Sequence, residues 1–141
     1  SSANFLNENL RLFSGGGGLV STAGDYLQFC HMLLNGGELN GHRLLSRKTI
    51  ELMTADHLVD IPGRRDTGYG FGLGFAVHVN PAGSGLNGSM GEYNWSGLAG
   101  TRFWVDPKEK LVGLYLIQVL PPRDPDPGLV FKQLVYQSIV D

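Results

Sequence analysis

The chain has 141 residues and a mass of 15.3 kDa, 42% apolar and 17% charged, too apolar for disorder and too polar for a bundle of membrane spans. Its 11 basic and 13 acidic residues leave a net charge of −2, with no basic stripe beyond Arg64-Arg65, so nucleic-acid and anionic-membrane binding lack an electrostatic footing. A single cysteine, Cys30, excludes an internal disulfide, and the longest apolar run, near 111–120, falls far short of the ~20 residues of a membrane span.

Residues 1–13 are polar, with scattered Phe and Leu and no clear period. Beyond the glycine run 15–18 a helix is predicted. Ser21 or Thr22 caps it, Asp25 occupies the first turn, and Tyr26, Phe29, Cys30, Leu33 and Leu34 form one apolar stripe. Asn35-Gly36-Gly37 stops it. A second helix is predicted from Ser46, with Ile50, Met53 and His57 on one side.

Residues 69–79 alternate large and small and read as one strand, whose small face implies a close neighbour. A Gly/Ser loop at 80–91 precedes a second apolar segment, Trp95–Val105. Asp106 to Lys110 is a solvated turn by its chemistry, and Leu111–Val119 reads as a strand covered on both faces. Prolines at 121, 122, 125 and 127 break the ladder, and a last helix is predicted over 128–140 with the stripe Phe131, Leu134, Val135, Ser138 and Ile139. Helices followed by consecutive strands and a closing helix imply one mixed α/β (α+β) domain. Its sheet is antiparallel, with the terminal helix across one face.

The common chemical motifs are absent. The glycines at 15–18 and 68–74 lack the count and the strand–helix setting of a phosphate cradle. His31, His42, His57 and His78 have no metal-ligand spacing, so no metal and no cofactor is expected; Asp124 and Asp126 read as turn residues. No serine stands in G-x-S-x-G or S-x-x-K, and there is no Y-x-N.

The runs SGGGGLVSTAGDYLQFCHMLLNGGELNGHRLLSRKTIELM, GYGFGLGF and GEYNWSGLAGTRFWVDPKEKLVGLYLIQ nevertheless resemble the C-terminal portion of the serine β-lactamase-like superfamily. That group includes class C β-lactamases, penicillin-binding-type peptidases and family VIII carboxylesterases. The resemblance runs from about Phe13 to Asp141. It implies the C-terminal part of the β-lactamase/transpeptidase-like fold, an antiparallel sheet with flanking helices, so that 1–141 is a single partial domain. In the family the nucleophile and its lysine lie in S-x-x-K and a tyrosine in Y-x-N, both upstream of the matching stretch.

The third family box, K-T-G, is matched here by Trp95-Ser96-Gly97. By resemblance the amide of Leu98 is one oxyanion-hole donor, the catalytic contribution of this chain. Ser96 offers a hydroxyl to the substrate, Gly97 lets it approach the strand, and Tyr93 is a further pocket candidate. Trp95 departs from the family's lysine. It supplies apolar area where a substrate carboxylate would be attracted, so an uncharged ester is favoured over a β-lactam. The expected partners are a small-molecule ester or β-lactam and the missing N-terminal portion of the same enzyme. No nucleic-acid partner is expected. The isolated chain is expected to be inactive and, with an uncovered sheet edge, to self-associate. The alternative is a free-standing non-catalytic binding module on the same scaffold.

Overall fold

The computed structural model describes residues 16, 19–59, 61, 67–120 and 124–140. The expectations for residues 1–13, for most of the glycine run, for Arg64-Arg65 and for the prolines at 121 and 122 lie outside them. Helix α1, Ala23–Leu34, begins where Thr22 accepts the amide of Asp25 at 3.1 Å and ends at Asn35. Gly36 and Gly37 follow with positive φ, which a side chain would strain. Cys30, Met32 and Leu33 are buried, whereas Phe29, expected in the stripe, stays exposed. It packs edge-on to Tyr26 instead.

Strands β1, Glu38–Leu39, and β2, His42–Arg43, form a small hairpin closed by Asn40-Gly41, both with positive φ, the dipeptide that favours a two-residue turn. Helix α2, Arg47–Met53, is capped by Ser46, which accepts the amide of Thr49 at 3.0 Å. His57 falls beyond this short helix rather than on its face, with Nε2 2.8 Å from the carbonyl of Leu52.

The strand expected over 69–79 is a hairpin. Strand β3, Tyr69–Phe71, folds back on β4, Ala76–His78, pairing Phe71 with Ala76 and Tyr69 with His78. The small residues explain the difference. Gly72 donates to the carbonyl of Phe75 and Gly74 has φ +97°, so the chain reverses there. The close neighbour inferred from those residues is real, since a Cβ on Gly72 would lie 2.0 Å from the carbonyl oxygen of Met53. One signal therefore encoded two features, an approach and a turn.

A four-residue helix α3, Pro81–Ser84, lies in the next loop. The segment 95–105 also divides, into β5, Tyr93–Ser96, and β6, Arg102–Asp106, with β7, Leu111–Tyr115, after a turn at 107–110. That turn is less solvated than its charges suggested. Asp106 is fully buried and accepts the amides of Ser89, Lys108 and Glu109. The five strands pair antiparallel in the order β3-β4-β5-β6-β7, each beside its neighbour in sequence.

The register divides the sheet into two faces. Val77, Tyr93, Phe103 and Val105 lie on one, in a core with Cys30 and Leu33 of α1. Ala76, Asn94, Arg102, Trp104 and Gly113 lie on the other, under helix α4, Pro127–Gln137. The indole of Trp104 lies on Gly113, where a Cβ would come within 2.0 Å of the ring.

Helix α4 does not dock by its predicted stripe. Phe131, Leu134 and Ile139 are exposed, and Gly128 and Lys132 are buried. A polar cluster displaces the apolar pattern. Lys132 pairs with the fully buried Glu92, whose Oε1 also accepts from Asn94. The Tyr136 hydroxyl lies 2.8 Å from a carboxylate oxygen of both Glu92 and Asp106. Phe131 meets the aromatic layer from its exposed position, 5.5 Å from the ring of Tyr115 and edge-on to Trp104 at 6.0 Å.

Candidate active site

Three of the expected site residues fall at the end of β5, and the ladder explains why their backbone is accessible. Strand β4 pairs with β5 only at Tyr93 and Asn94, so beyond Asn94 that side of β5 is uncovered. Asn94 faces Ala76, and the amide of Gly97 turns the opposite way, donating to the carbonyl of Thr101 at 2.8 Å. Successive amides of an extended chain alternate, so that of Ser96 points to the uncovered side, and in the turn that follows the Gly97 carbonyl accepts from Gly100, so across the trans peptide the Leu98 N–H points the other way, out of the turn. Among the described residues none accepts the amide of Leu98, and Leu98 is 78% exposed.

The turn behind this edge is held rigidly. Gly100 donates to the carbonyl of Gly97 at 2.9 Å, and Val119 donates to Ala99 at 3.0 Å, tying the turn to the segment after β7. Gly100 has φ +90°. At Gly97 the space of a missing Cβ is filled by the Thr101 hydroxyl, 2.5 Å from where that carbon would stand. An amide fixed in this way and left without an acceptor is the element an oxyanion hole requires, because it needs no reorganisation as charge develops.

Trp95 is half exposed and meets Phe71 edge-on, with ring centroids 5.1 Å apart. Ser96 is exposed and borders a cavity of about 170 Å³ that Gly97, Leu98 and the start of α4 also line. Tyr93 is placed elsewhere. It is 1% exposed in the α1 core, its ring 5.3 Å from that of Phe75, and burial pushes its phenol well above the ordinary range. The structure thus keeps Trp95, Ser96, Gly97 and Leu98 together along the end of β5, with Trp95, opposite Phe103, on the same face as the buried Tyr93 and Ser96, opposite Arg102, on the face under α4.

Sequence reasoning missed Arg102 and Asp126. Arg102 lies opposite Ser96 across the β5–β6 ladder and pairs through Nε and Nη2 with Asp126, which caps α4 by accepting the amides of Gly128 and Leu129. The Arg102 hydrogen bond, foremost, holds the Asp126 carboxyl below its usual range. Asp-Pro ahead of an apolar helix was the available signal for the cap. No local pattern signalled its partner 24 residues earlier.

No group of three or more His, Cys, Asp and Glu side chains able to hold a metal ion occurs among the described residues. His78 is a packing residue, fully buried, stacked on Tyr69 with centroids 4.4 Å apart and with Nε2 2.7 Å from the Ser84 hydroxyl.

A profile of the Beta-lactamase family matches residues 2–136. Protein Rv1367c of Mycobacterium tuberculosis is 41% identical over 123 residues, which cover 80% of this chain and 31% of that protein. Among solved structures, EstCE1, a hydrolase with promiscuous acyltransferase activity, superposes with TM-score 0.70 at 27% identity, covering 87% of this chain and 32% of its own. Unliganded simvastatin synthase (LovD) of Aspergillus terreus superposes with TM-score 0.61 at 21% identity, covering 82% of this chain and 33% of its own, a likeness of fold. The chain spans about a third of the length of the curated relatives it matches.

Proposed function

The chain belongs to the β-lactamase family, and from that premise we propose that it forms one wall of the active site of a serine hydrolase acting on uncharged esters. Its contribution is the Leu98 amide, with Trp95, Ser96 and Gly97 shaping the adjoining surface. The single observation that carries the reading is that, among the described residues, this amide stands without an acceptor just beyond the end of β5.

The chain contains no S-x-x-K and no Y-x-N, so the nucleophile and its activators come from the rest of the enzyme. Serine Oγ gives its proton to the activating lysine and tyrosine and bonds to the ester carbonyl carbon. The carbonyl oxygen takes up negative charge, and the Leu98 N–H donates to it. The carbon–alkoxy bond then breaks and the alcohol leaves with the proton. Water attacks the acyl-enzyme by the same route, releasing the acid and restoring the serine.

Trp95 is the reason for preferring an ester. An indole in place of an ammonium gives no attraction to a substrate carboxylate and offers apolar contact beside Phe71. EstCE1, a hydrolase with promiscuous acyltransferase activity that is 27% identical, supports acyl transfer as the class of reaction. The N-terminal portion of the enzyme is the proposed partner of this chain, and the chain alone is proposed to be inactive and to self-associate.

The test compares p-nitrophenyl butyrate with a chromogenic cephalosporin, using the full-length enzyme and the 141-residue chain separately. Ester turnover by the enzyme, slow or absent cephalosporin turnover, and neither by the chain alone are expected. Trp95→Lys should lower kcat/KM for the butyrate and raise it for the cephalosporin. Serine-inhibitor-sensitive turnover by the isolated chain, or a cephalosporin preference in the unaltered enzyme, contradicts the reading.

A further inference from the structure

Two cavities lie on either side of Arg102, under the first turns of α4. The outer one, about 170 Å³, borders Ser96 and Leu98 and reaches Pro127. The inner one, about 240 Å³, lies over Ala76 and Asn94 and reaches Leu129 and Lys132. Arg102 lines both. Its side chain passes beneath α4 to Asp126, so closely that a Cβ on Gly128 would sit 2.9 Å from Arg102 Cδ. Trp104 leans over Gly113, on the β7 side, and on the β4–β5 side the inner cavity is walled by Tyr69, Ala76, Leu86 and Asn94. Neither cavity reaches the ~300 Å³ at which small-molecule sites begin, whereas the two joined do.

We propose that Arg102, latched by Asp126, is a specificity-determining bar that confines the hydrocarbon arm of the substrate to the outer cavity, and that displacing it opens the inner cavity to a longer arm. This rests on the ester-hydrolase reading above. The walls suit a neutral aliphatic or aryl arm. Leu129, Ala76 and the ring of Trp104 supply apolar surface, and the one full cation deeper in, Lys132, is committed to Glu92. The bar can move without unfolding the helix, because the Asp126 cap on Gly128 and Leu129 does not depend on Arg102.

The test is the ratio of kcat/KM for long and short esters in the full-length enzyme. One arm uses p-nitrophenyl acetate to decanoate and the other uses methyl to octyl butyrates, so that acyl and alcohol arms are told apart. Each methylene that leaves water for an apolar wall adds about fourfold. Arg102→Ala should therefore raise the octyl-to-short ratio in one series by at least tenfold. Asp126→Asn, which keeps an N-cap residue but loosens the latch, should raise it by less. Leu129→Trp, filling the inner cavity, should cancel the gain of Arg102→Ala.

Binding without turnover is read separately, by quenching of Trp104 with 8-bromooctanol in a Trp95→Phe background. Stronger quenching is expected once Arg102→Ala is added, and none of that increase with 3-bromopropanol. Equal changes for short and long esters in both latch variants, with quenching unaltered, overturn the bar. If no ester is hydrolysed by the folded enzyme, the ester reading fails, and the quenching series alone decides whether Arg102 closes the inner cavity.

Discussion

Replacing Glu92 with glutamine strands an ammonium between sheet and helix. The Lys132 side chain is 5% exposed and that of Glu92 is not exposed at all, so water does not compensate the loss. Removing one member of a buried ion pair costs about 3–5 kcal/mol, against a total stability of about 5–15 kcal/mol for a domain. Burial, the leading influence, already pulls the Lys132 ammonium below its usual pKa, with Glu92 opposing it. Glu92→Gln removes that opposition, and the lysine escapes part of the cost by losing its proton. The expected loss is therefore nearer 3 kcal/mol at neutral pH and larger in acid, where the proton is kept. Urea unfolding of the full-length enzyme reads this as a midpoint shift of about 1.5 M at an m-value of about 2 kcal/mol/M. The double variant Glu92→Leu with Lys132→Met should recover most of the loss, since a matched apolar pair has no charge to desolvate. A cost below about 1 kcal/mol for Glu92→Gln, or a double variant worse than either single one, refutes the argument.

The other predictions concern packing and pH. Gly113→Ala puts a methyl carbon within 2.0 Å of the Trp104 ring in a closed layer and should cost about 1–3 kcal/mol, with a changed near-ultraviolet spectrum; an unaltered spectrum contradicts the packing. Asp126 has a lower pKa folded than unfolded, so its contribution is present above about pH 3.9 and is lost as pH falls through the folded value. Asp126→Asn should therefore flatten the acid limb of the stability curve below about pH 4. His78 is held below its usual pKa by burial and then by Lys132, while Asp106 opposes them. Below about pH 6.5 the unfolded chain takes a proton that the fold refuses, so stability falls with pH there. His78→Gln should reduce that slope, as measured by thermal unfolding across pH 5–7.

Local signals in the sequence were strong where short-range chemistry decides structure. Thr22 and Ser46 cap α1 and α2 as their side-chain oxygens allow, and the antiparallel order of the sheet follows from closely spaced strands. Two strands were overrun because the periodicity at 69–79 and 95–105 does not reveal a reversal at Gly74 or at 97–101. The docking face of α4 was misread for a long-range reason. Lys132 and Tyr136 look solvent-facing in isolation, and only Glu92 and Asp106, 40 and 30 residues earlier, make their burial favourable. The proposed site residues, Trp95 to Leu98, were reached through a family resemblance. The uncovered backbone edge needed the register, and so did the burial of Tyr93, which shares its face with the half-exposed Trp95 but packs on Phe75 in the core.

The proposed oxyanion donor is the Leu98 amide, and the direct measurement removes that N–H alone, by an amide-to-ester replacement at residue 98 in the full-length enzyme. The predicted result is a fall in kcat of about 10²–10³-fold for p-nitrophenyl butyrate with KM little changed, while Leu98→Ala, which keeps the N–H, stays within a few-fold. Equal kcat for the ester-substituted and unaltered enzymes would contradict the assignment.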